Sequence, residues 1–448
     1  MAYSPAGNRA QICQRQHEPR RHPELDLQAR ADGSDITVSE PSVLVRPLFF
    51  DSLQLQMVGC SPPGRVSCQS YPGMAHIGQG KEDAIQMKAT AEPKVAQEIT
   101  LRQMVPTDSA AINLLNRQTP DTGAVGFYSE FHHDMYETLL ALRPNVAGVV
   151  AQVANYDGLA GMGLVSFAEC IFEGELRPYA YLNSLGVHKD YRRRGIASRL
   201  ALWRVELARE RFAELGRDGV IFAGVQAGNT GSLLAAAKWS NQTLEGRSQV
   251  GIAKMLEKPP KRTARLSVRP AEPGDLEQIV ERQNGFFRDY NLYTPQTAES
   301  LADWRSKLVF GEPLHKYYVA VDRKGNILAG CGVTGYGRLI TDHVVRMPRP
   351  LRIANMFLRI VPSDGVSKRL SVDQFWYSRG KAQAGNFLWN ALRWLLRDRG
   401  NIMMTFFDPR GPQRQVITIP RFVPKTTGSI VLHARVPASV DRLMYFQT

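Results

Sequence analysis

The chain has 448 residues, of which 43% are hydrophobic, so it is long enough to bury more than one hydrophobic core. Its formal net charge of +14 favours a polyanionic ligand or partner, because a summed positive potential concentrates anions near the protein surface. The arginines are spread along the chain without the long basic block of a nucleic-acid-binding arm, which disfavours a nucleic acid partner.

Hydrophobic runs and cysteines narrow the class of protein further. The sequence contains no run of roughly 18 apolar residues, the minimum for a membrane span, and its start lacks the apolar core of a signal peptide. We therefore expect a cytoplasmic protein without membrane contact. The five cysteines are scattered, with no partners at metal-ligand spacing, so we expect reduced thiols and no metal site.

Residues 1–95 are rich in proline, glycine, serine, glutamine and arginine. They show no sustained helical or strand periodicity, and this composition is typical of segments that cannot bury a core. We expect a disordered N-terminal extension over this range.

A regular pattern then predicts a first domain over residues 97–257. In chain order it predicts a strand at Ile99–Met104, a short capped helix ending at Leu115, a helix at Gly126–Leu142, strands at Val146–Val153, Gly158–Phe172 and Tyr179–Val187, a helix from Arg194 to Gly216, a strand at Val220–Val225, a helix from Asn229 to Trp239, and a strand at Gln249–Leu256. The three consecutive strands indicate an antiparallel meander, and the whole order indicates a mixed α/β fold.

Residues 258–264 form a linker, because the paired prolines Pro259 and Pro260 can continue neither a helix nor a central strand. Residues 265–448 then repeat the opening pattern of the first domain. The elements predicted there are strands at Leu266–Arg269, Tyr317–Val321, Ile327–Thr334 and Ile402–Phe407, and helices at Leu276–Asn284 and Ala384–Arg397. This order predicts an internal duplication of about 160 residues.

A basic segment with small residues follows the strand Tyr179–Val187. It reads Arg192-Arg193-Arg194-Gly195-Ile196-Ala197 and leads into a helix. A helix N-terminus has unpaired N–H groups and a partial positive charge, and small residues let a phosphate approach the backbone. The arginines add charge-assisted hydrogen bonds. The segment therefore predicts a phosphate-binding loop, although it lacks the third glycine of a dinucleotide-binding motif and the GK[ST] of a P-loop.

Together with the preceding Leu185-Gly186-Val187, this loop resembles motif A of the GNAT superfamily of N-acetyltransferases. The resemblance implies tandem GNAT folds, each with a mixed, mostly antiparallel twisted sheet flanked by helices. It implies that acetyl-CoA is the co-substrate and that its pyrophosphate lies on the backbone amides of Arg193 to Ser198. The cofactor-binding residues that it implies are Leu185, Gly186, Val187, Arg192, Arg193, Arg194, Gly195, Ile196, Ala197, Ser198 and Asn229. Leu185 and Val187 would pair with the pantetheine arm.

The residues expected for catalysis depart from the family pattern. Many relatives have a tyrosine seven residues after the asparagine, where this chain has Ala236, and Tyr181 occupies the position of the usual carboxylate base. A tyrosine with an ordinary pKa of about 10 is a poor base at neutral pH. Glu173, near the predicted strand ends, could act through water, and Asn183 could orient the substrate. The candidate catalytic residues are therefore Tyr181, Asn183 and Glu173.

Two further segments leave alternatives open. His132 and His133, on the predicted second helix, either contact the acceptor or are surface histidines. The second domain carries glycines at the wrong spacing around Gly380, and Pro409 and Pro412 forbid an asparagine-capped helix, so it resembles a degenerate copy without catalytic activity.

The function indicated by these motifs is transfer of an acetyl group from acetyl-CoA to a primary amine of a small molecule or peptide. One alternative is a CoA-binding regulatory protein without turnover, which the missing catalytic residues favour. Another is a basic protein associated with nucleic acid, which the net charge favours.

Overall fold

The computed structural model describes residues 98–121, 123, 125–143, 145–261, 265–417 and 427–446. The extension predicted for residues 1–95 lies outside this part of the chain. All the described residues belong to one compact unit. No helix in the described ranges is both long and apolar enough to cross a membrane.

The described residues before the linker form strands and helices in the order expected for the first domain, except that an additional strand, β2, lies between the first two helices. They are β1 (Ile99–Gln103), α1 (Ser109–Gln118), β2 (Gly126–Phe131), α2 (Met135–Leu142), β3 (Val146–Val153), β4 (Gly161–Phe172), β5 (Glu175–Val187), α3 (Ile196–Glu214), β6 (Val220–Val225), α4 (Thr230–Ala236) and β7 (Gln242–Lys254). Residues 98–261 are called the first half below.

The described residues after the linker, called the second half, contain more elements. They are β8 (Leu266–Pro270), α5 (Leu276–Phe287), β9 (Tyr290–Asn291), α6 (Ala298–Ser306), β10 (Leu308–Val309), β11 (Glu312–Pro313), β12 (His315–Asp322), β13 (Ile327–Thr334), β14 (Ile340–Arg346), α7 (Arg349–Leu358), β15 (Val366–Ser367), β16 (Arg369–Tyr377), α8 (Ala382–Leu395), β17 (Ile402–Phe407), β18 (Thr427–His433) and β19 (Leu443–Met444).

The helix predicted at Gly126–Leu142 is wrong in its first half. Gly126–Phe131 is strand β2, and only Met135–Leu142 is helical. The strand forms because β2 pairs with β14 of the second half, from Ile340↔Phe131 to Arg346↔Gly126. The local pattern cannot reveal a partner so distant in sequence.

A sheet of twelve strands runs through both halves, in the order β1-β3-β4-β5-β6-β18-β7-β17-β16-β13-β12-β8. Most neighbouring strands are antiparallel, and the two parallel pairs are β5 with β6 and β16 with β17. The mixed, mostly antiparallel sheet flanked by helices confirms the predicted fold class.

The last strand that each half contributes to the twelve-stranded sheet lies beside strands of the other half, an exchange of last strands. β7, from the first half, pairs with β17, and β18, from the second half, pairs with β6. β7 and β18 also pair with each other at the centre of the sheet. The predicted boundaries at 97–257, 258–264 and 265–448 therefore divide the chain but not the sheet, which is continuous through both halves.

The two halves share a local feature that the sequence repeat had suggested. In the first half, Arg102 donates two hydrogen bonds to Asp108, of 2.7 and 2.6 Å, and the backbone N–H of Val105 donates to the same carboxylate at 2.8 Å. In the second half, Arg269 contacts Asp275 in the same way, at 2.5 and 3.0 Å. Each aspartate closes the turn between the first strand and the first helix of its half.

Helix α3 packs one face against the strands of the first half. Its buried residues recur every three or four positions: Ile196, Leu200, Ala201, Arg204, Val205, Ala208 and Phe212. This packing fixes the start of the helix beside the carboxyl end of β5.

A smaller sheet of three strands, in the order β15-β14-β2, covers part of one face of the main sheet together with α7. This cover, called the roof below, contains strands of both halves. It encloses a cavity against the main sheet.

Candidate active site

An open slot separates the carboxyl ends of strands β5 and β6. The strands pair in parallel from Tyr179↔Val220 to Tyr181↔Phe222, and pairing stops there although β5 continues to Val187 and β6 to Val225. Beyond this point no backbone pairing joins the two strands. A linear ligand with amide groups could pair with β5 as an additional strand.

Beside the slot, β5 carries a bulge. The register between β4 and β5 shifts between Met162 and Leu164, and Ser184 has a positive φ of 50°. A serine in this region costs energy, and such conformations persist at places where the surrounding structure enforces them. The bulge is centred on Ser184, two residues before Gly186.

The predicted phosphate loop lies at the mouth of the slot. Arg193 and Gly195 have positive φ values of 62° and 78°, and Gly195 is the N-cap of α3. The backbone N–H groups of Arg193, Gly195, Ile196, Ala197 and Ser198 have no backbone acceptor among the described residues. These donors converge on the helix N-terminus, which suits an anion.

The arginines of the loop are exposed, and one is fixed to the slot. Arg192 donates from Nε to the carbonyl oxygen of Val187 at 3.1 Å. The guanidinium of Arg194 lies over the ring of Tyr191, 5.1 Å from its centre. The loop therefore presents a positive surface at the end of β5.

Asn229 caps helix α4 on the other side of the slot. Its Oδ1 accepts a hydrogen bond from the backbone N–H of Ser232 at 3.1 Å, and its Nδ2 donates to Asp121 at 3.5 Å. Ala236, seven residues later, is buried in the hydrophobic cluster beneath α4 and does not line the cavity. The position that carries a tyrosine in many relatives therefore contributes to packing in this chain.

The slot, the phosphate loop and the roof enclose one cavity of about 1260 Å³. The predicted cofactor-binding residues line it, with the exception of Arg194. The cavity continues past the slot, along the face of β7, β17 and β16, into the second half. Its volume exceeds the range of roughly 300–1000 Å³ that is usual for small-molecule pockets, which leaves room for two substrates.

Two of the three predicted catalytic residues lie in this cavity. The ring of Tyr181 stacks on Phe222 with centres 4.9 Å apart, and a side chain at Gly224 would place its Cβ 4.0 Å from the Tyr181 hydroxyl. Asn183 donates from Nδ2 to the carbonyl oxygen of Tyr181 at 3.2 Å. Both side chains therefore lie near the point where β5 and β6 separate.

The structure does not bring Glu173 to the cavity. Glu173 has a φ of 51° in the tight turn between β4 and β5, at the opposite end of β5 from the phosphate loop. Its carboxylate accepts hydrogen bonds from Asn291 at 2.5 Å and from the backbone N–H of Ser439 at 2.9 Å. It connects the first half to the second.

The two histidines also join the halves and do not line the cavity. His132 contacts the Arg338 carbonyl oxygen at 2.9 Å and the Thr341 hydroxyl at 2.7 Å, and His133 stacks on Phe310 at 4.2 Å. They follow β2, outside helix α2.

Sequence reasoning missed a buried arginine behind the bulge. Arg204 is 2% exposed and donates to the carbonyl oxygens of Leu200, Leu164 and Asn183, at 3.0, 2.9 and 3.0 Å. Burial lowers the pKa of Arg204 to about 9. Arg204 fills the space above Gly163, where a Cβ would lie 2.9 Å from its Cζ. The sequence pattern of α3 gave no signal for this position, since a charged residue in an amphipathic helix is expected on the exposed face.

Three other polar residues in the cavity carry no sequence signal, because their partners are distant along the chain. Asp342, on β14, accepts a hydrogen bond from Ser129 at 2.7 Å and forms an ion pair with Arg369. Arg143 follows α2, and its guanidinium lies 5.6 Å from the centre of the Tyr181 ring. Asp342, Arg369 and Arg143 all line the cavity.

The second half has a corresponding pair of parallel strands but no open slot. β16 and β17 pair from Arg369↔Ile402 to Ser371↔Met404, and Gln374 in β16 has a positive φ of 55°, as Ser184 has in β5. The segment Leu443–Phe446 fills the space where these strands separate, leaving a gap of about 10 Å³. The second copy, which the sequence predicted to be degenerate, therefore has a filled slot.

Comparison with known proteins agrees with the site. Residues 110–238 match the model of the acetyltransferase (GNAT) family. This segment is a GNAT domain. It contains the slot, the bulge, the phosphate loop and Asn229. No curated protein matches the chain.

Solved structures resemble the chain beyond the GNAT segment. A GCN5-related N-acetyltransferase from Sphaerobacter thermophilus has 16% identity and a TM-score of 0.48, over 76% of this chain and 97% of that chain. An N-myristoyltransferase from Saccharomyces cerevisiae, with bound myristoyl-CoA, has 10% identity and a TM-score of 0.49, over 77% and 84%. A tandem GNAT protein from the clavulanic acid biosynthesis pathway has 13% identity and a TM-score of 0.47, over 76% and 100%.

Proposed function

We propose that this protein transfers an acetyl group from acetyl-CoA to the primary amine of a small molecule or peptide. One observation carries the proposal: the phosphate loop, the slot between β5 and β6 and the bulge at Ser184 open into a single cavity with room for a second substrate.

In this proposal the first half holds the cofactor. The amides of Arg193 to Ser198 bind the pyrophosphate, and Arg192 and Arg193 add charge-assisted hydrogen bonds. The pantetheine arm pairs with the backbone of Leu185 and Val187 in the slot, which the open edge of β5 supports. Asn229, on the opposite wall, contacts the same arm.

The reaction is attack of the amine nitrogen on the thioester carbonyl carbon. A C–N bond forms, the carbonyl oxygen becomes an oxyanion, and collapse of this intermediate breaks the C–S bond and releases CoA. A backbone N–H at the bulge, from Leu185 or Val187, stabilises the oxyanion. The amine loses a proton and the thiolate gains one, and Tyr181 and Asn183 are placed to orient the amine and the water that exchanges these protons.

Calorimetry with acetyl-CoA tests the cofactor site. We expect binding by the full chain and a loss of about tenfold or more in affinity when Arg192→Gln and Arg193→Gln are combined, because two charged donors are removed. Arg209→Gln is the matched control, since Arg209 is also an exposed arginine but lies along α3, away from the cavity. Full affinity in the double variant would exclude the proposed loop.

Turnover separates the enzyme from a CoA-binding regulator. The regulator is favoured by one observation: Asp121 and Asp342 are the cavity's carboxylates among the described residues, and both already accept hydrogen bonds. Release of free CoA thiol is measured with a panel of primary amines. Amine-dependent release supports the transferase, whereas binding without release for every amine supports the regulator.

A further inference from the structure

The inner part of the cavity lies between the roof and the main sheet, beyond the slot that takes the pantetheine arm. Its sheet side is apolar, with side chains at alternate positions of two neighbouring strands: Val250 and Ile252 on β7, and Ile402 and Met404 on β17. Val344 and Leu351 face it from the roof. Because alternate residues of a strand share a face, these side chains form one apolar surface. The surface fits an apolar molecular body.

At the end of the cavity formed by β15 and β16, polar atoms without partners border this apolar surface. Ser367, Arg369 and Ser371 occupy alternate positions along β15 and β16, and all three line the cavity. Ser367 and Ser371 are 3% and 1% exposed. Their hydroxyls and Nε of Arg369 are buried without a hydrogen-bond partner in the described part of the chain. Buried polar groups are normally paired, so three such atoms in one row indicate a ligand with complementary groups.

A half-buried cation faces the same space. Arg143 forms no ion pair with a carboxylate of the described residues, and its guanidinium lies beside the ring of Tyr181. Burial opposes its charge, but the nearby Tyr336, Tyr181 and Tyr179 and the carboxylate of Asp373 together outweigh this effect, so the pKa of Arg143 is above its usual value. Arg369 lies over the ring of Tyr336, 4.9 Å from its centre. Tyr336 therefore has both guanidinium groups in its surroundings.

The two carboxylates near this end of the cavity, Asp342 and Asp373, form no ion pair with Arg143, and Asp373 acts on it at longer range. Arg369 is neutralised by Asp342, whose second oxygen accepts from Ser129. The guanidinium of Arg143 therefore lies in a partly desolvated position without a direct counter-ion among the described residues, and an anion in contact with it would offset the cost of its burial. Two hydroxyls and two guanidinium groups supply donors, and a carboxylate accepts such bonds with both oxygens.

We infer that this end of the cavity binds the carboxylate of the acceptor, so that the acceptor is an amine that carries an apolar body and a carboxylate. Free amino acids with apolar side chains have this chemistry. The inference depends on the proposed transferase function, because it assigns the acceptor of the same cavity. Arg143, Ser367 and Ser371 are its specificity-determining residues.

Product analogues test the inference without turnover. The full chain, saturated with CoA, is titrated in a calorimeter with N-acetyl derivatives of glycine, leucine and phenylalanine, and with the corresponding primary amides. We expect the leucine or phenylalanine acid to bind about tenfold or more tightly than its amide, since only the acid presents an anion to Arg143. Equal affinities for acid and amide, or no binding by any of the acids, would overturn the inference.

Variants test whether the preference for acid over amide depends on the proposed residues. Arg143→Gln is expected to abolish the preference for acid over amide, Arg143→Lys to restore part of it, and the double variant Ser367→Ala with Ser371→Ala to weaken it. Arg209→Gln, on the outer surface of α3, is expected to keep it. Acetyl-CoA binding by each variant shows that the protein is folded. A preference that survives in Arg143→Gln contradicts the assignment.

The carboxylate bound at this end of the cavity could instead belong to the acyl group of the donor. A comparison of two acyl-CoA donors distinguishes the acceptor from the donor as its source. Arg143→Gln is compared with the unchanged protein for acetyl-CoA and succinyl-CoA binding. Equal effects on both donors support the acceptor site, whereas a selective loss of succinyl-CoA binding moves the carboxylate to the donor and overturns the inference. Absence of binding to any acyl-CoA contradicts the proposed function itself, which separates the two failures.

Discussion

Gly195 is the residue on which the geometry of the phosphate loop most directly depends. It caps α3 with a φ of 78°, a region that a residue with a Cβ enters at a cost of roughly 1–2 kcal/mol. No atom lies within 4 Å of the position that a Cβ would take. The requirement for glycine is therefore one of backbone conformation and of free space for a ligand.

Gly195→Ala is expected to weaken acetyl-CoA binding by about tenfold and to destabilise the protein by roughly 1 kcal/mol. Gly216→Ala is the matched control, because Gly216 has a φ of 61° and equally open surroundings at the other end of α3, outside the cavity. Calorimetry and thermal unfolding measure both variants. Similar losses of affinity in the two would show that strain in α3, and not access to the loop, decides binding.

His315 makes the stability of the second half depend on pH. It is buried, with Nδ1 3.0 Å from the Thr334 hydroxyl, and burial together with the charge of Lys307 lowers its pKa from 6.5 to about 4. Between these values the unfolded chain binds a proton that the folded protein excludes. Stability therefore falls as the pH decreases from 6.5 to about 4, by at most about 1.4 kcal/mol per pH unit for this group.

His315→Gln is expected to reduce this loss of stability, because glutamine does not titrate and can still contact Thr334. Denaturant unfolding from pH 7 to pH 4 measures the effect. His133→Gln serves as the control, since the ring of His133 is exposed. The prediction is wrong if the acid-side slope is the same in all three proteins.

Residues of the site differed in how well the sequence predicted them. The phosphate loop from Arg192 to Ser198 was predictable, because its function depends on a local sequence: a strand, a basic turn and a helix start. Asp342 was not, because its partner Ser129 lies 213 positions earlier in the chain. The positions of Arg143 and Arg369 in the cavity depend on the roof that β2 and β14 form. Side chains that act across such distances leave no local pattern.

At the scale of elements, the two pairs of parallel strands show how similar arrangements serve different uses. In the first half the carboxyl ends of β5 and β6 stay open. In the second half Leu443–Phe446 fills the equivalent space, with β19 pairing with β9 and the Tyr445 backbone N–H donating to Asn291 at 2.9 Å. Burial raises the pKa of Tyr445 well above its usual range, and its hydroxyl faces the backbone N–H of Gln374.

One acetyl-CoA per chain is the expected stoichiometry, because the protein's own segment occupies the second slot. Calorimetry of the full chain determines this number, and the combined Arg192→Gln and Arg193→Gln variant should lose the single event. Two binding events per chain, one of them insensitive to these substitutions, would show that Leu443–Phe446 does not close the second slot.

Most strands and helices were predictable because their periodicity is local, and the strand Ile402–Phe407 matches its predicted bounds. The elements of the roof were not. β2 was predicted as helical, and no pattern indicated β14 or α7. These elements are stabilised by contacts between the halves, so their conformation follows from the assembly of the sheet and not from neighbouring residues.

At the scale of the whole molecule, the exchange of last strands makes each half incomplete without the other. β6, which forms one wall of the slot, has β18 of the second half as its outer neighbour. β7 of the first half is paired with β17. A sheet edge left without its neighbour exposes unpaired backbone groups and promotes aggregation.

Residues 98–261 produced alone are therefore expected to be insoluble or unfolded, and production together with residues 265–446 is expected to yield a soluble complex. Solubility, circular dichroism and acetyl-CoA binding are the measurements. The co-produced halves are the control, since they contain the same chain break. Cooperative unfolding of the isolated first half would contradict the interdependence.

The same exchange of strands delays the completion of the slot while each new molecule is synthesised. β6 ends at Val225 and its neighbour β18 begins at Thr427. At synthesis rates of about 5–20 residues per second, roughly 10–40 s separate the emergence of these two strands from the ribosome. During that interval the phosphate loop has been translated, but one wall of its slot is unsupported. A ribosome-bound chain therefore acquires its ligand-binding capacity late, after nearly the whole second half has been made.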